Sequence, residues 1–495
     1  MRIAIVHYHL RRGGVSRVIE LACRALRESE FRVAVLAGDI PHDSVISHPT
    51  ASVSGLDYKN PSWGDARTLQ RELEKTASRL LGGPPDLWHV HNHSLGKNSA
   101  LPEVISSWAK DGQALLLQIH DFAENQRPEN YRRLIADENL AFLYPSTSRI
   151  AYALLNSRDE QILKQTDFPG QLLHLPNPVV PLVATRQLAP QFFGAETLVV
   201  YPCRAIRRKN IGEALLLACT FPKDHACGPQ TQHHPPLRIT NHPPRTQLAL
   251  ALAPDSRLAS YERWKALVCS RRLPVEFDTC TQRNISLGDL VSAAESLLTT
   301  SMEEGFGMTF LEAWLSNKPL IGRDIPSITS DFRSAGLVLD SLYGFLGVPV
   351  SLIGKEKIKH SLLSRWDEKF SAVGMPIDEL LKEKFLHRVL REDQVDFGEL
   401  ELDFQEHIVR IASESPRVAR EIISYLPVLP SLETIHRNRQ VIESRYALHQ
   451  YGLQLVSIYE NLVSAPSSSV IFGDSQAILK EFLNFYALKM PYNQK

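Results

Sequence analysis

Residues 297–315 read Leu-Leu-Thr-Thr-Ser-Met-Glu-Glu-Gly-Phe-Gly-Met-Thr-Phe-Leu-Glu-Ala-Trp-Leu. The apolar run 297–299 predicts a buried strand, Gly305 and Gly307 a turn, and Met308 the start of a helix that stops near Ser316-Asn317, before Pro319. Such a strand–turn–helix unit presents bare backbone N–H groups, which favour anions. The two glycines let a phosphate approach the backbone closely. Glu304 precedes the turn and Glu312 lies one turn into the helix. Two acids repel a phosphate, so they suit its neutral neighbours, the hydroxyls of a ribose and of a sugar, because a carboxylate accepts two hydrogen bonds from a diol. The plainer reading makes Glu304 a helix cap and Glu312 a surface residue. The whole combination favours the ligand.

A second segment, Tyr201-Pro-Cys-Arg-Ala-Ile-Arg-Arg-Lys-Asn-Ile-Gly212, follows another apolar run. It sets Arg204 and Lys209 in a loop at the carboxyl edge of a sheet, where open α/β sheets bind ligands. Two fixed cations there can neutralise a diphosphate leaving group. Taken alone, the segment is a basic cluster of the kind that forms solvated faces, and Arg207 and Arg208 fit that description.

Through the first half of the chain, short apolar runs alternate with amphipathic stretches. Strands are predicted at 3–6, 31–37, 87–90, 115–119, 151–155 and 172–175, with a helix after Gly13-Gly14 carrying Val15, Val18, Ile19, Ala22 and Leu26 on one face. Prolines 176, 178, 181 and 190 mark a linker. A second series runs through 198–201, 237–240, 275–277, 297–299, 320–321 and 337–339. The expectation is an α/β protein of two doubly wound domains, 1–185 and 186–340, with a helical region over 341–495 that contains no strand. Ile442, Leu448, Leu455, Ile458, Tyr459 and Leu462 predict one helix near 441–463, interrupted at Gly452.

Composition narrows the function. The 495 residues suggest two to four domains, and 43% hydrophobic with 22% charged content is that of a soluble globular chain. Lys plus Arg and Asp plus Glu number 55 each, which removes a global electrostatic case for nucleic acid. No apolar run approaches the ~18 residues of a membrane span. The six cysteines form no CxxC pair and no zinc spacing, so reduced thiols and a cytoplasmic location are expected. His233, His234 and His242 fall in a polar stretch, 221–245, read as a solvated loop and not a metal site. In Trp88-His-Val-His-Asn-His93, alternation along a strand would put His89, His91 and His93 on one side. His91 and His93 either line an acceptor site or are polar packing. His120 ends a strand and is either a cleft residue or satisfied by backbone.

The segment from Glu304 to Glu312 resembles the E-x7-E signature of family 4 retaining glycosyltransferases, and Arg204 with Lys209-Asn210-Ile211 resembles that family's phosphate loop. Gly13-Gly14, His120-Asp121, Asn177-Pro178 and the terminal helix extend the resemblance over 1–340 and that helix. It implies a GT-B fold, with two Rossmann-like domains facing a cleft, no metal and no cofactor beyond a nucleotide-sugar co-substrate. It implies that Arg204 and Lys209 hold the donor diphosphate. Gly305, Phe306, Gly307, Met308 and Thr309 add hydrogen bonds, Glu304 contacts the sugar and Glu312 the ribose. Gly13 and Gly14 form the loop beneath them, and His120 reaches the sugar near the reacting carbon. The implied partners are that donor and a metabolite or glycan acceptor, without nucleic acid or integral membrane contact. The chain departs from the family pattern at Asn241-His-Pro-Pro, at Phe277-Asp-Thr279 and in the extra length of 341–440. The competing readings are a nucleotide-sugar 2-epimerase, which would release epimerised donor without acceptor, and an inactive binding scaffold, which would bind donor without transfer.

Overall fold

The computed structural model describes residues 1–11, 13–42, 44, 46–57, 65–125, 127–221, 245–254, 258–423 and 429–486. Its first sheet is parallel throughout, in the spatial order Thr50–Ser52, Arg32–Asp39, Arg2–His9, Leu87–His91, Ala114–Ile119, Ile150–Leu154 and Gln171–His174. Its central strands are buried almost end to end because helices cover both faces. The second sheet repeats that winding: Val275–Glu276, Thr246–Leu252, Thr197–Arg204, Ser296–Thr299, Leu320–Arg323 and Leu342–Tyr343, again all parallel.

The winding order reverses between Thr197–Arg204 and Ser296–Thr299, which are neighbours in the sheet. The crevice beyond the carboxyl ends of two such strands is where open α/β sheets take ligands. The Arg204–Asn210 and Thr300–Met308 loops leave from those two ends. The α/β class, the twin doubly wound sheets and the helical C-terminal region are therefore all present.

Several local expectations are corrected. The strand expected at 337–339 is replaced by Leu342–Tyr343, a few residues later. The strand and three histidines expected in 233–242 lie outside the described residues, and the second domain's next strand is Thr246–Leu252. The region after 341 does contain strands. Gly347–Pro349, Gln394–Asp396 and Leu390–Arg391 make a small antiparallel sheet, and Ile471–Phe472 pairs with Pro145–Ser146 of the first domain. Strands of two or three residues are too short to carry a periodic signal.

The terminal helix is two helices, Leu432–Arg445 and Leu448–Ser464. The first packs on the second domain, with Ile435 and Ile442 in a core beside Phe310 and Trp314, and with Asn438 bonded both ways to the Val338 backbone at 2.8 Å. The second packs on the first domain through Tyr451, Leu455, Tyr459 and Leu462. The chain crosses between domains at Tyr446-Ala447, where Tyr446 O accepts the Val179 N–H of the linker at 3.0 Å. Gly452 does not interrupt its helix. It allows the helix to approach Gly14–Ala25, since a Cβ there would stand 2.9 Å from Ala25 O.

Residues between the second sheet and these helices form a block against the second domain. Arg323, 3% exposed, sits between Glu213 and Asp396 with bonds of 2.6–2.9 Å to both. A buried guanidinium needs such pairing to offset its desolvation. Among the described residues no helix is long and apolar enough to cross a membrane.

Candidate active site

Three residues after Arg204 the chain makes a 3-10 turn, Arg207–Lys209, and Asn210 takes a left-handed φ of 51° before the helix Ile211–Ala218. Asn tolerates that backbone better than most residues. The neighbouring strand holds the turn in place. Thr300 Oγ1 donates to Lys209 O at 3.0 Å and Asn210 O at 3.1 Å, the Tyr201 hydroxyl donates to Lys209 O at 2.9 Å, and Met302 N–H donates to Arg208 O at 3.0 Å. The two loops singled out in the sequence are thus knitted into one surface.

That surface carries an ion cluster. Lys209 Nζ and Arg208 Nη1 both pair with the Glu304 carboxylate, Arg208 at 3.0 Å, and Arg208 also reaches Glu303 O at 3.1 Å. Burial by itself would raise the Glu304 carboxyl, but Lys209 and Arg208 outweigh it and hold the group at about 2. Glu304 is not a helix cap. The helix Thr309–Leu315 has Met308 at its N-cap, and no side chain caps it. Glu312, half-buried on that helix, is pushed up to about 7 by burial, against the pull of Arg17 and Lys209. Arg17 belongs to the helix that opens at Gly14, so the first domain's glycine turn and Glu312 share a neighbourhood. A Cβ on Gly14 would meet nothing within 4 Å.

The expected cation pair is Arg204 with Lys209. In the structure Arg204 ends its strand, half-buried, while the cations on Glu304 are Lys209 and Arg208. Arg208, expected on a solvated face, points inward because a 3-10 turn orients three consecutive basic residues differently, which the sequence alone does not show. Arg207 does turn away, donating to Gln405 Oε1 at 2.8 Å and Leu400 O at 3.1 Å behind the loop. Phe306, expected at the donor, packs its ring against Phe332 and Tyr446 at centroid distances of 5.6 and 6.1 Å, inside the second domain's core. Gly307 has φ 80°, a conformation open to glycine, and a Cβ there would come within 2.7 Å of Phe310.

The first domain closes over this surface. Asn125 Nδ2 donates to Glu303 Oε1 at 2.8 Å, Asn156 Nδ2 to Gly305 O at 3.1 Å, and Ser157 N–H to Asp331 Oδ2 at 2.7 Å. Between the domains lies a narrow hollow lined by His120, Asp121, Phe122, Asn125, Arg127, Arg158, Asp159, Arg208, Glu303, Glu304 and Gly305. Arg127 pairs with Asp121 at 2.6 Å and Arg158 with Asp159 at 2.6 Å. Nothing local in the sequence marks Arg127 or Arg158; both reach the hollow through tertiary packing.

His120 does line the hollow, and burial lowers its ring to about 4, so it is neutral at pH 7. Its backbone N–H and that of Asp121 donate to Asn92 Oδ1 at 2.7 and 3.1 Å. His91 and His93 do not line it. Both are fully buried, His91 behind His120 and His93 bonded to Leu143 O at 2.9 Å between Tyr144 and Tyr152. The strand ends at His91, and Asn92 with φ 58° turns the chain, so the alternation expected to carry His93 to the same side stops one residue early.

This arrangement is that of a GT-B fold, and two solved structures of that type superpose on it over nearly their whole length. Sucrose-phosphate synthase from Thermosynechococcus elongatus matches with a TM-score of 0.52 at 16% identity, covering 93% of this chain and 99% of that one. WaaG, described as a glycosyltransferase involved in lipopolysaccharide biosynthesis, matches with 0.51 at 13% identity, covering 92% and 99%. In sequence, the chain is 24% identical over 362 residues to the mannosylglucosyl-3-phosphoglycerate synthase of Petrotoga mobilis, covering 67% of this chain. The chain spans 66% of that relative's length. No protein-family model matches.

Proposed function

We propose that this chain is a glycosyltransferase that moves a sugar from a nucleotide-diphosphate-sugar to an acceptor hydroxyl with retention at the anomeric carbon. The carrying observation is the Arg208–Lys209–Glu304 cluster at the second sheet's switch point, facing His120 across the cleft. The resemblance of the Glu304–Glu312 segment to the E-x7-E signature and the similarity to a named glycosyl-phosphoglycerate synthase support it.

In this reading residues 186–340 take the donor and 1–185 the acceptor. As the bond from the anomeric carbon to the diphosphate breaks, negative charge grows on the leaving oxygen. Lys209, with Arg208 or Arg204, stabilises that charge from fixed positions. The acceptor oxygen bonds to the carbon on the same face, and its proton passes to the leaving phosphate. Glu304, now occupied by the cations, exchanges them for sugar hydroxyls. Glu312, poised near pH 7, meets the ribose. With room for only about 20 Å³, the hollow is far below the roughly 300–1,000 Å³ of a ligand pocket, so the domains part to admit donor and close to exclude water. No metal or cofactor enters this reading. A cytoplasmic location belongs to the same reading.

The acceptor is a metabolite or glycan, and phosphorylated sugar acids are the first class to try, given the name of the relative and the arginines 127 and 158 on the first domain's wall. The test is a thermal-shift panel of nucleotide-sugars followed by product analysis. A donor that raises the melting temperature and yields a retained glycoside supports the proposal. Release of epimerised donor without acceptor, or tight binding with neither hydrolysis nor transfer, overturns it.

A further inference from the structure

Behind His120 lies a row of buried rings that the reaction above does not use. His91 Nδ1 is 2.9 Å from His120 Nε2. His89 stacks on His91 with centroids 4.3 Å apart. The far end is pinned: His89 Nδ1 is 2.8 Å from the Tyr459 hydroxyl and His89 Nε2 is 3.0 Å from Gln118 Oε1. Tyr459 belongs to the helix Leu448–Ser464, the second half of the crossover.

We propose that His91 is a positioning residue whose Nδ1–H donates to His120 Nε2, holding His120 as the tautomer with its proton on Nδ1 at the cleft wall. The direction of the bond follows from what each nitrogen can do. Burial lowers His89 to about 3, His120 to about 4 and His91 well below its ordinary value, so each ring is neutral, with one donor and one acceptor nitrogen. His91 Nε2 is buried, and no described group bonds it. If His120 donated, the His91 proton would sit on Nε2 with nothing to receive it. If His91 donates, Nε2 is a bare lone pair. An orphaned buried N–H is the rarer and costlier state, so His91 donates.

His120 Nε2 is then occupied as an acceptor, and Nδ1 is the nitrogen left to meet a ligand, as a hydrogen-bond donor. Of the rings in the row, His120 is the one that lines the hollow. A neutral donor suits a sugar oxygen and does not protonate the leaving group, which agrees with the phosphate itself taking the acceptor proton. His89, itself held by the Tyr459 hydroxyl, keeps His91 in register by stacking. The geometry stands on the structure alone; its consequence for turnover rests on the glycosyltransferase reading.

The test compares wild type with His91→Leu, which removes the donor, and His91→Asn, whose amide N–H sits near the place of Nδ1. Nitrogen-15 NMR of histidine-labelled, ligand-free protein reads the tautomer directly, with His120→Asn identifying the signal. The expected result is a wild-type His120 protonated at Nδ1, and in His91→Leu a ring shifted toward Nε2 protonation. With a working donor, His91→Leu should lower kcat about 10- to 100-fold with donor KM nearly unchanged, and His91→Asn should restore most of it. A wild-type His120 protonated at Nε2 overturns the proposal, as does a folded His91→Leu with wild-type kcat. Should His91→Leu fail to fold, the wild-type spectrum and the kcat of His91→Asn decide. If no donor is ever used, the glycosyltransferase reading falls while the spectrum still settles the tautomer.

Discussion

Gly305 and the carbonyl of His120 meet across the interdomain cleft, so closely that a Cβ on Gly305 would stand 2.5 Å from His120 O. The contact joins the glycine turn of one domain to the strand-end histidine of the other. Any side chain at 305 must push backbone against backbone, which cannot relax by a rotamer change. Gly305→Ala is therefore expected to hold the domains apart. Small-angle scattering should show a larger radius of gyration, and kcat/KM should fall about 10- to 100-fold with the fold intact. An unchanged scattering curve and rate would mean the contact plays no part in closure.

Lys209 and Arg208 share Glu304. In the proposed reaction, replacing either by Ala removes a charge that stabilises the leaving diphosphate, at about 2.7–4 kcal/mol of transition-state stabilisation if it behaves as other such donors do. The loss should appear in kcat/KM measured with the donor found in the panel. Arg207→Ala, directed away from the cleft, should fall less steeply. Full activity in both Lys209→Ala and Arg208→Ala would remove the phosphate role.

Gln405 is fully buried and bridges the Arg204–Asn210 loop to the block behind it, donating to Asn210 Oδ1 at 2.9 Å and Phe397 O at 3.0 Å while accepting from Arg207. Gln405→Ala strands those partners, at about 1–3 kcal/mol of stability. The loop it braces should loosen, so donor KM should rise more than kcat falls. A urea titration and donor saturation curves check both; a change in stability with untouched KM would limit Gln405 to scaffolding.

The buried histidines make the protein sensitive to acid. Burial lowers His7 and His89 to about 3, and His9, His93 and His120 to about 4. An unfolded histidine titrates near 6.5, so below that pH the unfolded chain binds protons that the folded chain refuses. Stability is full above about pH 6.5 and falls as pH drops toward the folded values of about 3 and 4. Glu124 and Glu312, raised to about 7 by burial, act oppositely, costing stability as pH rises through about 4.3 to 7, but they are fewer. The urea midpoint should therefore be lower at pH 5 than at pH 7. A flat profile would mean that the histidines gain compensating partners on protonation.

Gly452 lets the crossover helix lie against Ala25. Gly452→Leu should separate the helices and lower stability by about 1–3 kcal/mol, as overpacked contacts do. Thermal unfolding checks it. An unperturbed melting temperature would show that the helix can slide aside.

The features legible in the residue order are local ones. Residues 297–315 announce a strand, a glycine turn and a helix because hydrophobic period and turn chemistry are written in adjacent residues, and the Arg204–Lys209 segment announces a second loop after a strand in the same way. Their meeting follows from the doubly wound order, which brings both loops to one switch point. Tertiary structure alone decided which side chains face each other. Arg208 faces Glu304 and Arg207 faces Gln405 because a 3-10 turn points consecutive residues apart, and the sequence does not reveal that turn. His91 and His93 part company at Asn92, a single backbone angle that no periodicity foretells. Arg127 and Arg158 reach the hollow, and the short strands after 341 form, only through partners far away in the chain. Local propensity needs only neighbours in sequence, whereas a side chain's partner is fixed by packing that the whole chain must complete.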